Sequence, residues 1–266
     1  MRLLPVSVVL LFAAPTYAHF HMLLPAKHSI REDEQVVVTY QFGHPFEHEL
    51  GDAEKPIRAV AFAPDGKSTD LLPAVEKVFL PAVEGKRAVG YQIAFRPSGR
   101  GDFTLVFESP PVWMVDEKHF VHDVTRVVIH VQTQNGWDKR HVDPNDFTLI
   151  PLTRPYGLRP GTVFQALARP GAANVSHLVE VERYNPAPPK TLPPDEQITL
   201  ALKSDPAGVA TCTLPDPGWW AVTATRRYGP KQTQSTRERE GKAYPVVERA
   251  TLWVFVDDPP PRKPGD

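Results

Sequence analysis

The fold class of this chain is decided by the stretch Val124–Gln132, which reads VTRVVIHVQ. It is rich in β-branched residues, which are typical of strands. Val127, Ile129 and Val131 fall on one face of an extended segment, whereas Arg126 and His130 fall on the other. The pattern therefore predicts a β-strand.

Similar runs recur on both sides of this stretch, separated by turn residues such as Pro64-Asp65-Gly66. The chain also has 30 prolines, which break helices and are tolerated at turns and strand ends. At most a short helix is expected in the region 71–80, and a polar loop is expected at 226–242. Further strands are predicted at 36–42, 59–63, 88–95, 103–108, 162–168, 178–184, 197–203, 209–214, 220–225 and 250–256.

Short strands at this spacing predict an all-β protein with two immunoglobulin-like or transthyretin-like β-sandwich domains. The composition becomes loop-rich after 135, and the boundary is placed near Pro151. The expected order is a signal peptide at 1–18, an N-terminal domain at 19–150, a C-terminal domain at 151–257 and a Pro-rich disordered tail at 258–266.

The first residues have the composition of a secretory signal peptide. Arg2 precedes an apolar run that is too short to span a bilayer, and Thr16-Tyr17-Ala18 supplies small residues before a cut. Cleavage after Ala18 would make His19 the first residue of a periplasmic or secreted protein. The alternatives are an N-terminal anchor and a buried first strand.

The rest of the composition excludes several classes of function. The net charge is −1 and charges of both signs are interspersed, which argues against nucleic acid as a partner. No later run is long and apolar enough to predict a membrane span. Cys212 is the single cysteine, and the hydrolase, zinc-protease and phosphate-loop motifs are missing, so the chain is expected not to be an enzyme.

A start at His19 suggests two ways of binding a metal ion. The amine, the amides of Phe20 and His21 and the His21 imidazole would form a square-planar chelate, which suits Cu(II) and Ni(II). Alternatively, the amine and imidazole of His19 would grip copper with another histidine, as in the histidine brace of copper oxygenases. Histidines placed by chance next to a cleavage site are the third interpretation.

Other histidines occur in two clusters. His44, Glu47 and His48 lie in a loop after a predicted strand and could converge on the N-terminus, or they could belong to a solvated loop. His119 and His122 would point to opposite faces of a strand, so only one could serve a given site.

Four segments resemble one known family. They are AHFHMLLP at 18–25, GHPFE at 43–47, RPYGLRPG at 154–161 and GWWAV at 218–222. In this order they resemble the exported component associated with bacterial ABC-type cobalt and nickel uptake systems. The resemblance implies a periplasmic sandwich protein that handles Ni(II) or Co(II) beside a membrane metal-transporter complex, with His19, His21 and His44 in its site.

The sequence therefore predicts a non-enzymatic periplasmic protein that binds Ni(II), Co(II) or Cu(II) through His19, His21 and His44. One alternative is a copper oxygenase with a His19 brace. The other is a structural or adhesive module in which these histidines bind no metal.

Overall fold

The computed structural model describes residues 19–82, 85–139, 147–169, 175–229 and 231–258. The predicted signal peptide and all but the first residue of the predicted tail lie outside these ranges. Within them the chain is almost entirely β-structure, as the sequence predicts. The helical segments are two 3-10 turns, Leu72–Ala74 and Asp195–Gln197.

The strands of the first half follow one another with short connections. They are β1 Phe20–Pro25, β2 Ser29–Ile30, β3 Val36–His44, β4 Glu49–Gly51, β5 Arg58–Phe62, β6 Ser68–Asp70, β7 Glu76–Pro81, β8 Arg87–Phe95, β9 Gly101–Glu108, β10 Val112–Met114 and β11 His119–Val131.

The second half continues in the same manner. Its strands are β12 Thr148–Pro151, β13 Thr162–Arg169, β14 Leu178–Arg183, β15 Thr199–Lys203, β16 Val209–Leu214, β17 Gly218–Thr225, β18 Thr236–Arg239 and β19 Lys242–Val256.

The strands form three sheets in a sandwich-like arrangement. The first has the order β1-β3-β8-β7, and β4 pairs with the end of β3. The large sheet has the order β15-β14-β17-β19-β11-β9-β5-β6, and β2, β10 and β18 pair at its margins. The third is β12-β13-β16.

The large sheet contributes to two hydrophobic cores. Val127, Ile129 and Val131 of β11 lie in the first core together with β1, β3 and β8. Leu252 and Val254 of β19 lie in the second core with β13 and β16. Both faces of β11 are therefore covered, and its burial is almost continuous along the strand.

Pro151, near which the sequence analysis places the domain boundary, is the last residue of β12, and β12 pairs with β13 and contributes Leu149 to the second core. Across this boundary β11 pairs in parallel with β19, from Phe120 opposite Val246 to Val127 opposite Trp253. Trp253 itself lies in the first core. The two halves thus have their own cores but share one continuous sheet.

Several segments differ from the sequence prediction, and the short strands β2, β4, β6, β10 and β12 were not predicted. Part of the region 71–80 is strand β7, which the sequence analysis missed, and part of the expected loop at 226–242 is strand β18. No helix in the described ranges is long and apolar enough to cross a membrane.

Candidate functional site

Strand pairing brings His19 and His44 together. β1 runs antiparallel to β3 with Phe20 opposite Gly43 and His21 opposite Phe42. Continuing this register by one residue puts His19 opposite His44, a position at which side chains of antiparallel strands meet. The two Nε2 atoms are 3.0 Å apart.

The orientation of the two rings is informative. Two imidazoles joined head-on by a hydrogen bond would have centroids roughly 5 Å apart, because both ring radii add to the nitrogen separation. The centroids of His19 and His44 are only 4.1 Å apart, and the ring planes make an angle of 73°. The hydrogen bond between the two Nε2 atoms is therefore bent, with the rings close to perpendicular rather than joined head-on.

The pair is partly shielded from solvent. His44 is 8% exposed, and the His19 ring stacks on Phe42 at 5.4 Å. Burial, together with the nearby charge of His19, lowers the pKa of His44 to about 4. At neutral pH the His44 imidazole is unprotonated, which is the form that binds metal ions.

The turn after His44 is fixed by the second half of the chain. The backbone N–H of Phe46 donates to Glu182 Oε1 at 3.0 Å, and Asn185 donates its backbone N–H to the Pro45 carbonyl at 3.0 Å. His48 donates from Nδ1 to the Asn185 carbonyl at 2.9 Å. These bonds hold the turn against the second half of the chain.

Gly43 is the residue that lets this turn form. Its φ is +144°, and β4 folds back so closely that a Cβ atom at Gly43 would lie 2.1 Å from the Glu49 carbonyl oxygen. This conformation favours glycine. The turn therefore needs glycine at position 43, directly before His44.

His21 is placed differently from the other two predicted ligands. It is 1% exposed, and its Nδ1 is bonded to Asp123 Oδ2 at 2.6 Å. Trp253 Nε1 donates to the His21 carbonyl at 3.2 Å. A square-planar chelate through His21 would have to break these bonds and remove residues 20 and 21 from strand β1.

Asp123 and Arg249 anchor the start of β1. Arg249 donates to both Asp123 oxygens, at 2.8 and 2.7 Å, and also to the His19 carbonyl at 2.6 Å. Burial alone would raise the pKa of Asp123, but Arg249 and His21 outweigh it and hold the pKa well below its ordinary value. The ion pair therefore fixes the backbone from which His19 projects.

A second polar group lies beside the turn. Glu182 is 2% exposed, and Glu47 is 6% exposed with Oε2 buried and lacking a hydrogen-bond partner among the described residues. Burial and the neighbouring Glu47 and Glu180 raise the pKa of Glu182 to about 7, against the opposing hydrogen bonds from Thr199 and Phe46. The sequence analysis singled out Glu47 of this group but not Glu182.

Three other described histidines have partners or positions away from this pair. His122 is paired through Nε2 with Glu108 at 2.9 Å, and His119 lies at the start of β11 opposite Met114. His130 is bonded to Asp102 at 2.8 Å. Among the described residues, no group of three or more His, Cys, Asp or Glu side chains is arranged to hold a metal ion.

The sequence of residues 16–228 matches the family described as "Domain of unknown function (DUF4198)". The chain belongs to this family. The match includes His19, His21 and His44 of the candidate site, and it ends before Arg249 and Trp253. No protein of curated function matches this DUF4198 chain.

Two solved structures that match this chain at low TM-scores are much larger proteins. A Salmonella alpha-2-macroglobulin reacted with methylamine is 14% identical, with a TM-score of 0.26, over 91% of this chain and 15% of that one. Dimeric latent PorU from Porphyromonas gingivalis is 10% identical, with a TM-score of 0.22, over 90% of this chain and 20% of that one. The DUF4198 chain thus spans a fifth or less of these proteins.

Proposed function

We propose that this protein binds one Cu(II), Ni(II) or Co(II) ion through the imidazoles of His19 and His44 and serves as a periplasmic accessory protein in the handling of that metal. The observation that carries the proposal is the approach of the two Nε2 atoms to 3.0 Å. Two nitrogens bound to one ion at about 2.0–2.1 Å are about 2.8–3.4 Å apart for bond angles near 90–110°.

The chemistry of the donors supports this assignment. Imidazole nitrogens suit copper and nickel. The lowered pKa of His44, about 4, keeps its nitrogen available without competition from protons at neutral pH. An ion held by only two side chains keeps other coordination positions open, which favours transfer to a partner over permanent storage. A membrane metal-transporter complex is the partner that we propose.

The amine of His19 is a further donor if residues 1–18 are removed. An amine and an imidazole of the same residue chelate through Nδ1, whereas the His19 atom beside His44 is Nε2. The imidazole pair and the histidine brace therefore use different atoms of His19. They are distinguished by whether a free amine is needed.

We expect the protein beginning at His19 to bind one equivalent of Cu(II) more tightly than Ni(II), and Ni(II) more tightly than Co(II). His19→Ala and His44→Ala should each weaken binding at least about tenfold, because each removes one of two side-chain donors. The measurement is isothermal titration calorimetry, with His119→Ala as a matched histidine control. Equal affinities in all four proteins would mean that these histidines bind no specific ion.

A protein with an extended N-terminus distinguishes the imidazole pair from the histidine brace. A Gly-Ser extension before His19 removes the amine from the site but leaves both imidazoles. The imidazole pair predicts binding within about threefold of the unextended form, whereas the brace predicts a loss of about a hundredfold or more, the scale on which chelating donors act.

The second candidate function is the copper oxygenase, favoured by a second histidine placed against the predicted N-terminal His19. It predicts that the copper-loaded protein consumes O₂ in the presence of ascorbate and that His44→Ala abolishes this consumption. Copper binding without O₂ consumption above that of free copper supports the accessory role.

A further inference from the structure

A cavity of about 930 Å³ lies at one end of the sandwich. Its walls are three connections: the turn between β5 and β6, the turn between β8 and β9, and the segment that follows β11. Loops at the ends of a sandwich commonly form binding sites. The volume is within the range of small-molecule pockets.

Part of the cavity wall is apolar. Its walls include side chains that also belong to the first hydrophobic core and are themselves buried: Ala61, Leu71, Ile93, Phe95 and Phe103. Two of these are phenylalanine rings in contact, with centroids 5.8 Å apart. A ligand that entered the cavity would therefore place an apolar body against the core.

The rim of the cavity is charged and mostly positive. Lys67, Arg96, Arg100 and Lys139 line it, and Asp65 is the acidic residue among the lining side chains. The whole protein has a net charge of −1, so this accumulation of cations is local. Cations around a cleft with apolar walls concentrate the field on an anion that enters it.

Most of the rim cations already have partners, but one does not. Lys67 pairs with Asp65 at 2.8 Å and Arg100 pairs with Glu32 at 2.6 Å. Lys139 donates to the Pro64 carbonyl. Arg96 has no ion-pair partner in the part of the chain that the structure describes, so its charge is available to a ligand.

Hydrogen bonds and close packing hold together the three connections that form the cavity walls. Asp102 accepts the Asn135 N–H at 2.9 Å through its side chain and donates its own N–H to the Asn135 carbonyl at 2.9 Å. Gly101, with φ +120°, packs so closely on Pro64 that a Cβ atom would lie 2.3 Å from its Cγ. The cavity is therefore preformed, which lowers the entropic cost of binding.

We propose that this cavity binds an organic anion with an apolar body, such as a medium-chain carboxylate, with the carboxylate at Arg96 and the chain against Phe95 and Phe103. The site is separate from the His19–His44 pair. His21 meets β11 at Asp123, whereas the cavity lies at the Val131 end of β11, eight residues or about 26 Å away.

The test is titration of the metal-free protein with decanoate, compared with decanol and with inorganic phosphate. Decanol has the same chain without the charge, and phosphate has the charge without the chain. We expect decanoate to bind one-to-one and at least about tenfold more tightly than either, because only it satisfies both the rim and the interior. Its binding should weaken as salt is added.

Substitutions in and outside the cavity test whether decanoate binds there. Arg96→Gln should weaken decanoate binding about fivefold, whereas Arg227→Gln, which removes an exposed arginine outside the cavity, should leave it unchanged. Ala74→Phe places a ring in the cavity from an exposed position and should abolish binding without unfolding the protein.

Decanoate binding no tighter than decanol, or full binding by a folded Ala74→Phe protein, would overturn the proposal. Copper binding should be the same in all of these variants, since none lies near His19 or His44. Failure of the anion site is thereby distinguished from failure of the metal site.

Discussion

Asp123 and Arg249 are the residues on which the position of His19 depends. Both are buried, and Arg249 bonds the Asp123 carboxylate and the His19 carbonyl at once. Asp123→Ala would leave the guanidinium in the interior without its bidentate partner. Breaking a buried pair in this way costs about 3–5 kcal/mol of unfolding free energy.

Urea denaturation at neutral pH measures this loss. The matched control is Glu32→Ala, which breaks the exposed ion pair with Arg100 and should cost less than about 1 kcal/mol. A loss for Asp123→Ala as small as that of the control would show that the buried pair does not stabilise the fold.

Glu182 gives the molecule a measurable pH dependence. Its pKa is raised from 4.5 to about 7, because burial and the neighbouring Glu47 and Glu180 disfavour the charged form. A carboxyl whose pKa is raised on folding stabilises the fold fully below its unfolded pKa. That stability is lost as the pH rises through the folded value, here between about 4.5 and 7.

We expect the wild-type protein to lose about 3 kcal/mol relative to Glu182→Gln across this window. Glutamine keeps an acceptor for the Phe46 N–H but cannot ionise. The free energy of unfolding of both proteins, measured by urea at several pH values, tests this. Parallel pH profiles would show that Glu182 titrates normally in the folded state.

The candidate site could be predicted only in part at this scale. The pattern around the predicted cleavage site pointed to His19, and the Gly43-His44 segment pointed to His44. The roles of His21 and Arg249 could not be predicted, because His21 finds its partner Asp123 across 102 residues and Arg249 reaches His19 across 230. Sequence spacing carries no information about contacts of that range.

At the scale of elements, the β3–β4 turn decides whether His44 faces His19. Gly43→Ala would drive a methyl group into the Glu49 carbonyl, 2.1 Å from the new Cβ atom. We expect a loss of about 2 kcal/mol or more of unfolding free energy, together with weaker metal binding.

Gly241→Ala is the control for the backbone conformation alone. Gly241 has φ +73°, and no atom lies within 4 Å of the position that a Cβ atom would take there. Only the strain of the left-handed region remains, which costs about 1 kcal/mol. Thermal unfolding of both variants measures the difference. Equal losses, with copper binding intact in Gly43→Ala, would mean that the turn tolerates a side chain.

Strands were predictable where a side-chain alternation or a turn marked them. β11 and β9 carry β-branched or aromatic runs, and both appear close to their predicted positions. β7 was not predicted because Pro73 lies shortly before it and Pro81 is its last residue. It is the edge strand of its sheet, where a proline removes no required hydrogen bond. β18 is exposed along its whole length, so it has no buried face to give an apolar pattern.

The pairing of β11 with β19 determines how the whole molecule unfolds. The sequence predicts two domains that meet near Pro151, and each half has its own core. The parallel pairing of β11 with β19, however, makes one sheet of both halves, and Ala221 and Trp253 of the second half lie in the first core. We therefore expect the halves to unfold together as a single cooperative unit.

Differential scanning calorimetry of the chain from His19 to Asp258 tests this expectation. It should show one transition, with a calorimetric enthalpy equal to the van't Hoff enthalpy. A fragment ending at residue 150 should not fold alone, since it lacks Trp253 of the first core and leaves Asp123 buried without Arg249. Two separate transitions, or a folded fragment with native circular dichroism, would show instead that the first half is an independent domain and that the shared sheet is an interface between two stable bodies.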